Sequence, residues 1–532
     1  MDASSHESAD DQNIRHPRPT STSSETEPLL ARRPSNLSQA SSLPKQLTTR
    51  HAFAILITLQ IGSGVFASPA QIDSNVPSPG ASLLVWALGG LLSWAGAASF
   101  AELGAAIPIN GGMQEYLRYV YGDTMAFMMA WVYIMATKPS AMAIQSIVIA
   151  ESIGSIVSFT SSGADTTLLR LVAALALIFI VILNSLNTKF TMRLSESFTG
   201  IKITTVFLVV LGGLVAVVAY LVNPKSSLSG SDDWHERNWF DTRPTVSNAT
   251  PVDWFGMGTW ERYGHFATAI YGGLWAFDGW DNANLVASEI RDPGKALPKA
   301  IKCAMVVVLS SYELVNVSYY ILLPWDIISS DNAVAVTAAA RVFGQWAGIS
   351  ITILIALSCC GSITGNVFTI GRLIIAASQR NYLPSFLGTR GIPAFTSRYE
   401  GEAQPAITAA TEPPANPKSK LRSRIDAPIY ANALALIVTL VYVFFGELRA
   451  LLTFTGMASW IFYVSTVLGL LVLRRREPQL HRPYKPTVLL PIMFVVVGIL
   501  VIARTAIFAP VQSVLLAFLL VAGAAISKIR SR

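Results

Sequence analysis

Apolar residues dominate twelve separate stretches of this chain. Most of the stretches reach the ~20 residues that an α-helix needs to cross a bilayer. Polar and apolar residues do not alternate within them with a period of two, which excludes a transmembrane β-barrel. The pattern therefore predicts an all-α polytopic membrane protein with about 12 transmembrane helices. The predicted spans lie near residues 51–74, 81–103, 123–150, 167–187, 198–222, 263–288, 298–323, 340–378, 427–446, 449–473, 488–508 and 510–527.

The composition supports this interpretation. Hydrophobic residues make up 52% of the 532 residues, charged residues only 13%, and the mean hydropathy is +0.47. A soluble domain contains about 25% charged residues, so a water-soluble globule is excluded. The formal net charge is +7. Because the basic residues lie in short loops between apolar runs, we expect contact with the lipid bilayer and no nucleic acid partner.

The distribution of Lys and Arg predicts the orientation of the chain. These residues concentrate in one set of loops, for example at Lys189, Arg193 and the run Arg474–Arg476. Cytosolic loops carry the excess of Lys and Arg, so we expect both termini to be cytosolic. The alternate short loops, which lack basic residues, lie near 75–80, 152–166, 324–333 and 509–511.

Four segments outside the spans are predominantly polar. Residues 1–48 and 528–532 predict cytosolic tails, the first of them disordered. Residues 223–262 predict a non-cytosolic loop, which contains the sequon Asn248-Ala249-Thr250. Glycosylation there stays open, since sequons also arise by chance. Residues 388–426 predict a Pro-rich, disordered cytosolic insertion.

The first span contains two glycines around a serine, at Gly62, Ser63 and Gly64. Glycine costs roughly 1 kcal/mol in a helix interior, so this cluster predicts an unwound stretch. Free amides at the start of a half-helix suit a carboxylate. Close helix packing through small residues is the alternative.

The sixth span contains a second cluster, in which glycines are joined by two carboxylates, Asp278 and Asp281. Ionisable residues inside a span are costly and mark functional sites. The two interrupted spans are the first and the sixth, which are corresponding positions in two five-helix halves. Paired breaks of this kind predict a substrate site near the middle of a transporter.

Several motifs resemble the L-type amino acid transporter family of the amino acid–polyamine–organocation superfamily, which includes the light subunits of heteromeric transporters and their fungal relatives. Residues 61–69, IGSGVFASP, are similar to the first-helix motif of that family, and residues 86–108 are similar to its second helix. Further similar stretches are found at 137–140, 271–293, 316–319 and 361–372. The resemblance runs in order across residues 50–480.

The resemblance implies a LeuT-like fold of two inverted five-helix repeats, expected at 49–222 and 263–473, followed by two further helices at 486–527. It also implies that the backbone amides of the first break hold a substrate carboxylate. The carbonyls of the second break would hold the ammonium group, and Trp275 would be a gating aromatic. The candidate substrate-binding residues are Gly62, Ser63, Gly64, Trp275, Ala276, Phe277, Asp278 and Gly279.

The chain departs from the family pattern at several positions. Asp278 stands where relatives usually have Gly, Asp281 where many have Asn, and Ser459 where some large-neutral transporters have Asn. Side-chain specificity is therefore not transferable. The 152–166 loop lacks the Cys that links heteromeric members to a heavy chain, so we expect no disulfide-linked partner. The cysteines, Cys303, Cys359 and Cys360, predict no metal site and no cofactor.

Three further charges fall inside predicted spans. By resemblance, Lys202 lies where sodium-coupled relatives hold a cation and would replace it; snorkelling to the interface is the alternative. Lys138 is expected to be a structural counter-ion that fixes the third helix rather than a transport residue. Glu313 could carry protons or be a satisfied structural acid.

Together these observations predict a sodium-independent secondary transporter that moves amino acids by alternating access, with large neutral L-amino acids as the first expectation. A cationic amino acid transporter and a nutrient receptor that signals through its tails are the alternatives. No constellation for an enzyme is evident. In the N-terminal tail, Glu25, Leu29 and Leu30 form an acidic dileucine pattern that sorting adaptors read. It leaves the vacuolar or lysosomal membrane and the plasma membrane both open.

Overall fold

The computed structural model describes residues 47–158, 166–247, 250–331, 333–389 and 427–530. Nearly all regular structure in these ranges is helical. The helices before the long polar connection are α1 (Thr49–Gln60), α2 (Gly64–Asp73), α3 (Pro79–Ala106), α4 (Met113–Tyr121), α5 (Asp123–Val132), α6 (Lys138–Ser158), α7 (Thr166–Asn184) and α8 (Thr188–Val222). A π-helical turn, Tyr133–Thr137, joins α5 to α6.

The connection itself contains a short helix and a two-stranded antiparallel ribbon. These are α9 (Asp233–Glu236), β1 (Thr245–Ser247) and β2 (Thr250–Val252), with Val246 opposite Pro251. The later helices are α10 (Thr259–Ala276), α11 (Pro293–Leu322), α12 (Trp325–Ile328), α13 (Val334–Phe343), α14 (Gln345–Gln379), α15 (Ile429–Phe445), α16 (Leu448–Arg476), α17 (Leu489–Phe508) and α18 (Pro510–Arg530). Two 3₁₀ segments are Asn282–Glu289 and Ser385–Gly388.

Nine helices in the described ranges are long and apolar enough to cross a membrane. Helix α15 is apolar but has only 17 residues, as expected for the short ninth span. The first and sixth predicted spans each consist of two shorter segments separated by a break. The prediction of an all-α polytopic membrane protein is confirmed.

Both predicted breaks are present. Residues 61–63 separate α1 from α2, and residues 277–281 separate α10 from the following 3₁₀ segment. Gly279 has a φ of +107°, which side chains rarely adopt, and a Cβ there would meet the backbone of Leu59 at 3.3 Å. Glycine is therefore required at this position both by its backbone conformation and by the close approach of the first span.

The interrupted spans lie against each other at the centre of the helical bundle. Helix α10 packs against α2 and α3, and α1 packs against α8, α11 and α14. Small residues allow close approach: a Cβ on Gly89 of α3 would lie 3.2 Å from the Gly273 carbonyl carbon of α10. The backbones of the two breaks are thereby held side by side.

Two helices differ from the predicted spans. Helix α8 begins at Thr188 rather than near 198, because the Asn187 side chain caps it by accepting a hydrogen bond from the Lys189 amide at 2.7 Å. The long eighth stretch, 340–378, divides at Gly344, where φ is +87°. Helix α13 therefore ends before α14 begins, and a membrane span starts only at Gln345.

Buried ion pairs lie near both ends of the bundle. Asp73, at the end of α2, pairs with Arg243 of the long connection. At the opposite end, Arg474 and Arg482 both contact Glu102 at the end of α3.

Several sequence features lie outside the described residues. They are the dileucine pattern at Glu25, Leu29 and Leu30, the sequon residue Asn248, and residues 390–426 of the predicted insertion.

Candidate functional site

A cavity with an empty volume of about 680 Å³, its open mouth included, lies between the two helix breaks. Its walls come from the first, third, sixth, eighth and tenth spans. Seven of the eight predicted substrate-binding residues line it, namely Gly62, Ser63, Gly64, Trp275, Ala276, Asp278 and Gly279. The structure thus brings together, in one cavity, residues more than 200 positions apart in the sequence.

The first break presents two free backbone donors to this cavity. The Gly62 amide donates to the Gln60 carbonyl at 2.9 Å, whereas the amides of Ser63 and Gly64 have no backbone acceptor in the described part of the chain. Gly64 is the first residue of α2, where amides lack an intrahelical partner. A Cβ on Gly64 would lie only 2.9 Å from the Cα of Ala276, so the two breaks touch here.

The second break presents backbone carbonyls, two of which already accept hydrogen bonds. The Trp275 carbonyl accepts from the Asp278 amide at 3.1 Å, and the Phe277 carbonyl accepts from the Gln60 side chain at 3.4 Å. The Phe277 ring is buried 4.7 Å from the Tyr312 ring, measured between centroids. Phe277 is therefore the one predicted site residue that does not line the cavity.

The hydroxyl of Tyr463, on α16, lies within hydrogen-bond distance of both aspartates of the second break and can donate its single proton to one of them at a time. The distances are 2.8 Å to Asp278 Oδ1 and 3.1 Å to Asp281 Oδ1. Asp281 is buried, whereas Asp278 is partly exposed to the cavity. Sequence reasoning did not identify Tyr463, because a tyrosine in an apolar helix carries no signal of its own. Ser459, one turn earlier, also lines the cavity.

Lys138 lines the same cavity as these aspartates. Its ammonium group donates to the side-chain oxygens of Asn282 and, at 3.2 Å, Asn366. The π-helical turn that precedes it has a clear cause: Pro139 has no amide to offer the Met135 carbonyl, which instead accepts from the Tyr442 hydroxyl at 3.0 Å. Neither asparagine was identified from the sequence.

Lys202 is fully buried and lies outside the cavity wall. Its ammonium group donates to the Thr58 carbonyl at 2.6 Å, to the Ser362 hydroxyl at 2.6 Å and to the Ile61 carbonyl. It therefore satisfies carbonyls at the C-terminal end of α1, which a helix leaves without partners. Snorkelling to the membrane interface is not what the structure shows.

Glu313 lies on α11 and does not line the cavity. Its Oε1 atom is buried without a hydrogen-bond partner in the described part of the chain. The structure therefore does not bring Glu313 to the other candidate residues. The described residues also contain no group of His, Cys, Asp and Glu side chains arranged to hold a metal ion.

Comparison with known proteins identifies the family. Residues 47–526 match the family model described as amino acid permease. The chain is 29% identical over 453 residues to the human cystine/glutamate transporter, covering 85% of this chain and 78% of that one. It is 28% identical over 475 residues to the mouse b(0,+)-type amino acid transporter 1, covering 89% and 85%. It is 29% identical over 459 residues to the mouse Asc-type amino acid transporter 1, covering 86% and 76%.

These similarities confirm the resemblance that the helix motifs indicated. A permease moves its solute through the membrane without transforming it, so this protein is a membrane transporter and not an enzyme. The match extends over almost all of the described helices and includes both breaks that form the cavity. The chain belongs to the amino acid permease family.

Proposed function

We propose that this protein is a secondary transporter that carries large neutral L-amino acids by alternating access and without sodium. The observation that carries the proposal is the placement of the two free amides of Ser63 and Gly64 against the second break across one cavity. Amides at a half-helix start attract a carboxylate, and backbone carbonyls at the facing break attract an ammonium group. An α-amino acid carries both groups.

Apart from Lys138, Asp278 and Asp281, the cavity wall is uncharged, which supports a neutral substrate side chain. Leu59, Ala141 and Ile144 contribute apolar surface, while Thr137 and Gln145 contribute uncharged polar groups. The names of the relatives include a cystine/glutamate transporter, so the family does not set the side-chain class by itself. The presence of Asp278 favours a cationic substrate as the second candidate.

The sodium independence rests on Lys202. The Thr58 and Ile61 carbonyls and the Ser362 hydroxyl converge on its ammonium group, as they would on a bound cation. A fixed positive charge at this position supports the end of α1 without an ion from solution. A sodium ion at the same oxygens would meet strong repulsion.

The proposal includes the arrangement in the membrane. The alternation of loops with and without basic residues supports cytosolic termini. The sequence has cysteines only at positions 303, 359 and 360. The 152–166 loop therefore has no cysteine that could form a disulfide with a heavy chain, which supports transport without such a partner.

The test is uptake by purified protein in liposomes, with radiolabelled leucine and competition by each proteinogenic amino acid, in sodium or choline buffer. We expect leucine and methionine to compete best and uptake to be equal in the two buffers. A steep sodium requirement would overturn the coupling proposal, and dominant competition by arginine and lysine would select the cationic alternative.

The site itself is tested with Gly64→Val. The new side chain would collide with the Ala276 backbone, so uptake should fall to background while expression persists. Gly200→Val is the matched control, because a Cβ on that exposed glycine meets nothing within 4 Å. Normal uptake by Gly64→Val would remove the case for this cavity.

A further inference from the structure

We propose that Asp278 is the counter-ion of the substrate α-ammonium group, whereas Asp281 belongs to the scaffold together with Lys138. The inference rests on the proposed substrate cavity and assigns separate roles to two carboxylates that lie three residues apart. It makes the free ammonium group, rather than the charge of the substrate side chain, the feature that Asp278 recognises.

Asp281 already has a cation linked to it through one side chain. The Asn282 amide nitrogen donates to Asp281 Oδ1 at 2.9 Å, while the Asn282 amide oxygen accepts from the Lys138 ammonium group. This amide therefore orients its positive end toward the carboxylate and its negative end toward the ammonium. The arrangement stabilises both buried charges and joins the third span to the sixth.

The charge of Lys138 also attracts Asp278, but no side chain links the two groups in this way. No salt bridge in the described ranges joins Asp278 to a cation, and its carboxylate is held there by the Tyr463 hydroxyl, 2.8 Å from Oδ1, and by the Gly279 amide. The residue lines the cavity and is partly exposed to it. One ammonium group faces two carboxylates here, so with both carboxylates ionised the site without substrate has one negative charge in excess, which attracts a cation.

The position of Asp278 determines which positively charged group of the substrate it contacts, the α-ammonium group or the side chain. The chain from Ala276 to Gly279 runs beside the first break: Gly64 approaches Ala276, and Gly279 approaches Leu59 and Gln60. A substrate whose carboxylate is held by the amides of Ser63 and Gly64 thus has its α-ammonium group beside the segment from Ala276 to Gly279. The substrate side chain then extends away from it.

Two further observations favour a ligand at this point. The carbonyls of Trp275 and Phe277 already accept hydrogen bonds, which leaves them less able to hold an ammonium group without help from a carboxylate. The Thr137 hydroxyl lines the same cavity, is buried, and has no hydrogen-bond partner among the described residues. It is available to a bound substrate.

The test combines one substitution with one chemical deletion from the ligand. Leucine, arginine and glutamate are compared with their deaminated counterparts, which are 4-methylpentanoate, 5-guanidinopentanoate and glutarate. Binding is measured by the ligand-induced rise in the melting temperature of purified wild-type and Asp278→Asn protein. This readout does not require transport, and the melting temperature without ligand reports whether the variant is folded.

We expect wild-type protein to bind an amino acid about 10- to 100-fold more tightly than its deaminated counterpart, the range of a charged hydrogen bond. Asp278→Asn should remove most of this difference in affinity. The loss should be similar for each amino acid that binds. The substitution should leave the affinity for the deaminated compound unchanged. Tyr463→Phe removes the hydroxyl that positions the Asp278 carboxylate, so it should weaken amino acid binding by a smaller factor.

Three results would overturn the inference. They are equal binding of leucine and 4-methylpentanoate to wild-type protein, unchanged amino acid affinity in Asp278→Asn, and a loss confined to arginine, which would place Asp278 at the substrate side chain. If Asp278→Asn does not fold, Asp278→Gly, with the residue usual in the resembling family, takes its place. Failure of all three amino acids to bind wild-type protein would instead reject the proposed function and the inference with it.

Discussion

The Lys202 ammonium group connects three segments of the chain at the point where α1 ends. Besides its own bonds, the Ser362 hydroxyl donates to the Thr58 carbonyl at 3.0 Å and the Ser358 hydroxyl donates to the Ile61 carbonyl at 3.3 Å. Four oxygen atoms from α1, the first break and α14 therefore converge on one small volume. Removing the lysine would leave the carbonyls short of donors in a buried place.

At the residue scale, we predict that Lys202→Ala lowers the stability of the protein by a few kcal/mol, since buried unsatisfied groups each cost about 1–3 kcal/mol. The oxygens that remain are ligands suited to a small hard cation. Sodium should therefore raise the melting temperature of Lys202→Ala and not that of wild type. Lys295→Ala, at an exposed position in the first turn of α11, is the control. Equal responses of all three proteins to sodium would contradict this assignment.

At the scale of elements, the end of α2 is fixed from outside the membrane spans. The Asp73 and Arg243 side chains are both fully buried, and Asp73 also accepts from the Tyr320 hydroxyl at the end of α11. Burial works against the charge of Arg243, but the Asp73 carboxylate outweighs it and raises the pKa of Arg243 above its ordinary value. The long connection thus holds the half-helix that begins with Gly64.

Breaking this pair should be costly. Arg243→Gln leaves Asp73 buried without its cation, and such a change typically destabilises a protein by about 3–5 kcal/mol. The double substitution Asp73→Asn/Arg243→Gln should recover most of the loss in melting temperature. Arg237→Gln is the matched control in the same connection, because that arginine is a third exposed and its ion pairs are worth little. Equal melting temperatures for Arg243→Gln and Arg237→Gln would contradict the prediction.

Element by element, the sequence predicted what depends on local composition. The length of the apolar stretches identified the spans. The glycine clusters identified both breaks, because glycine destabilises a helix wherever it occurs. The π-helical turn was not predicted, although Pro139 provides its cause, since a proline also permits a simple kink. The start of α8 was missed because polar residues such as Lys189 and Arg193 give its first turns, nearly three of them, the composition of a loop.

Across the whole molecule, the contacts that complete the site come from distant parts of the chain. Tyr463 is 185 residues from Asp278, and Lys138 is 144 residues from Asn282. No local pattern encodes such pairs, so the cavity could be assigned to the two breaks but not to the side chains around them. The buried Asp73–Arg243 pair was missed for the same reason, since the 223–262 connection has the polar composition of a solvated loop.

At the scale of the whole molecule, the N-terminal tail contains a candidate signal for the membrane in which the transporter acts. Glu25, Leu29 and Leu30 form an acidic dileucine pattern in a segment that is otherwise polar. An acidic residue followed by two adjacent leucines is a pattern that sorting adaptors recognise. If they direct the protein to the vacuolar or lysosomal membrane, a fluorescently tagged Leu29→Ala/Leu30→Ala variant should move to the cell surface. Glu25→Ala should shift it part of the way, while Ser35→Ala, in the same tail, should not. If imaging shows the same distribution for the wild-type protein and the dileucine variant, these leucines are not the sorting signal.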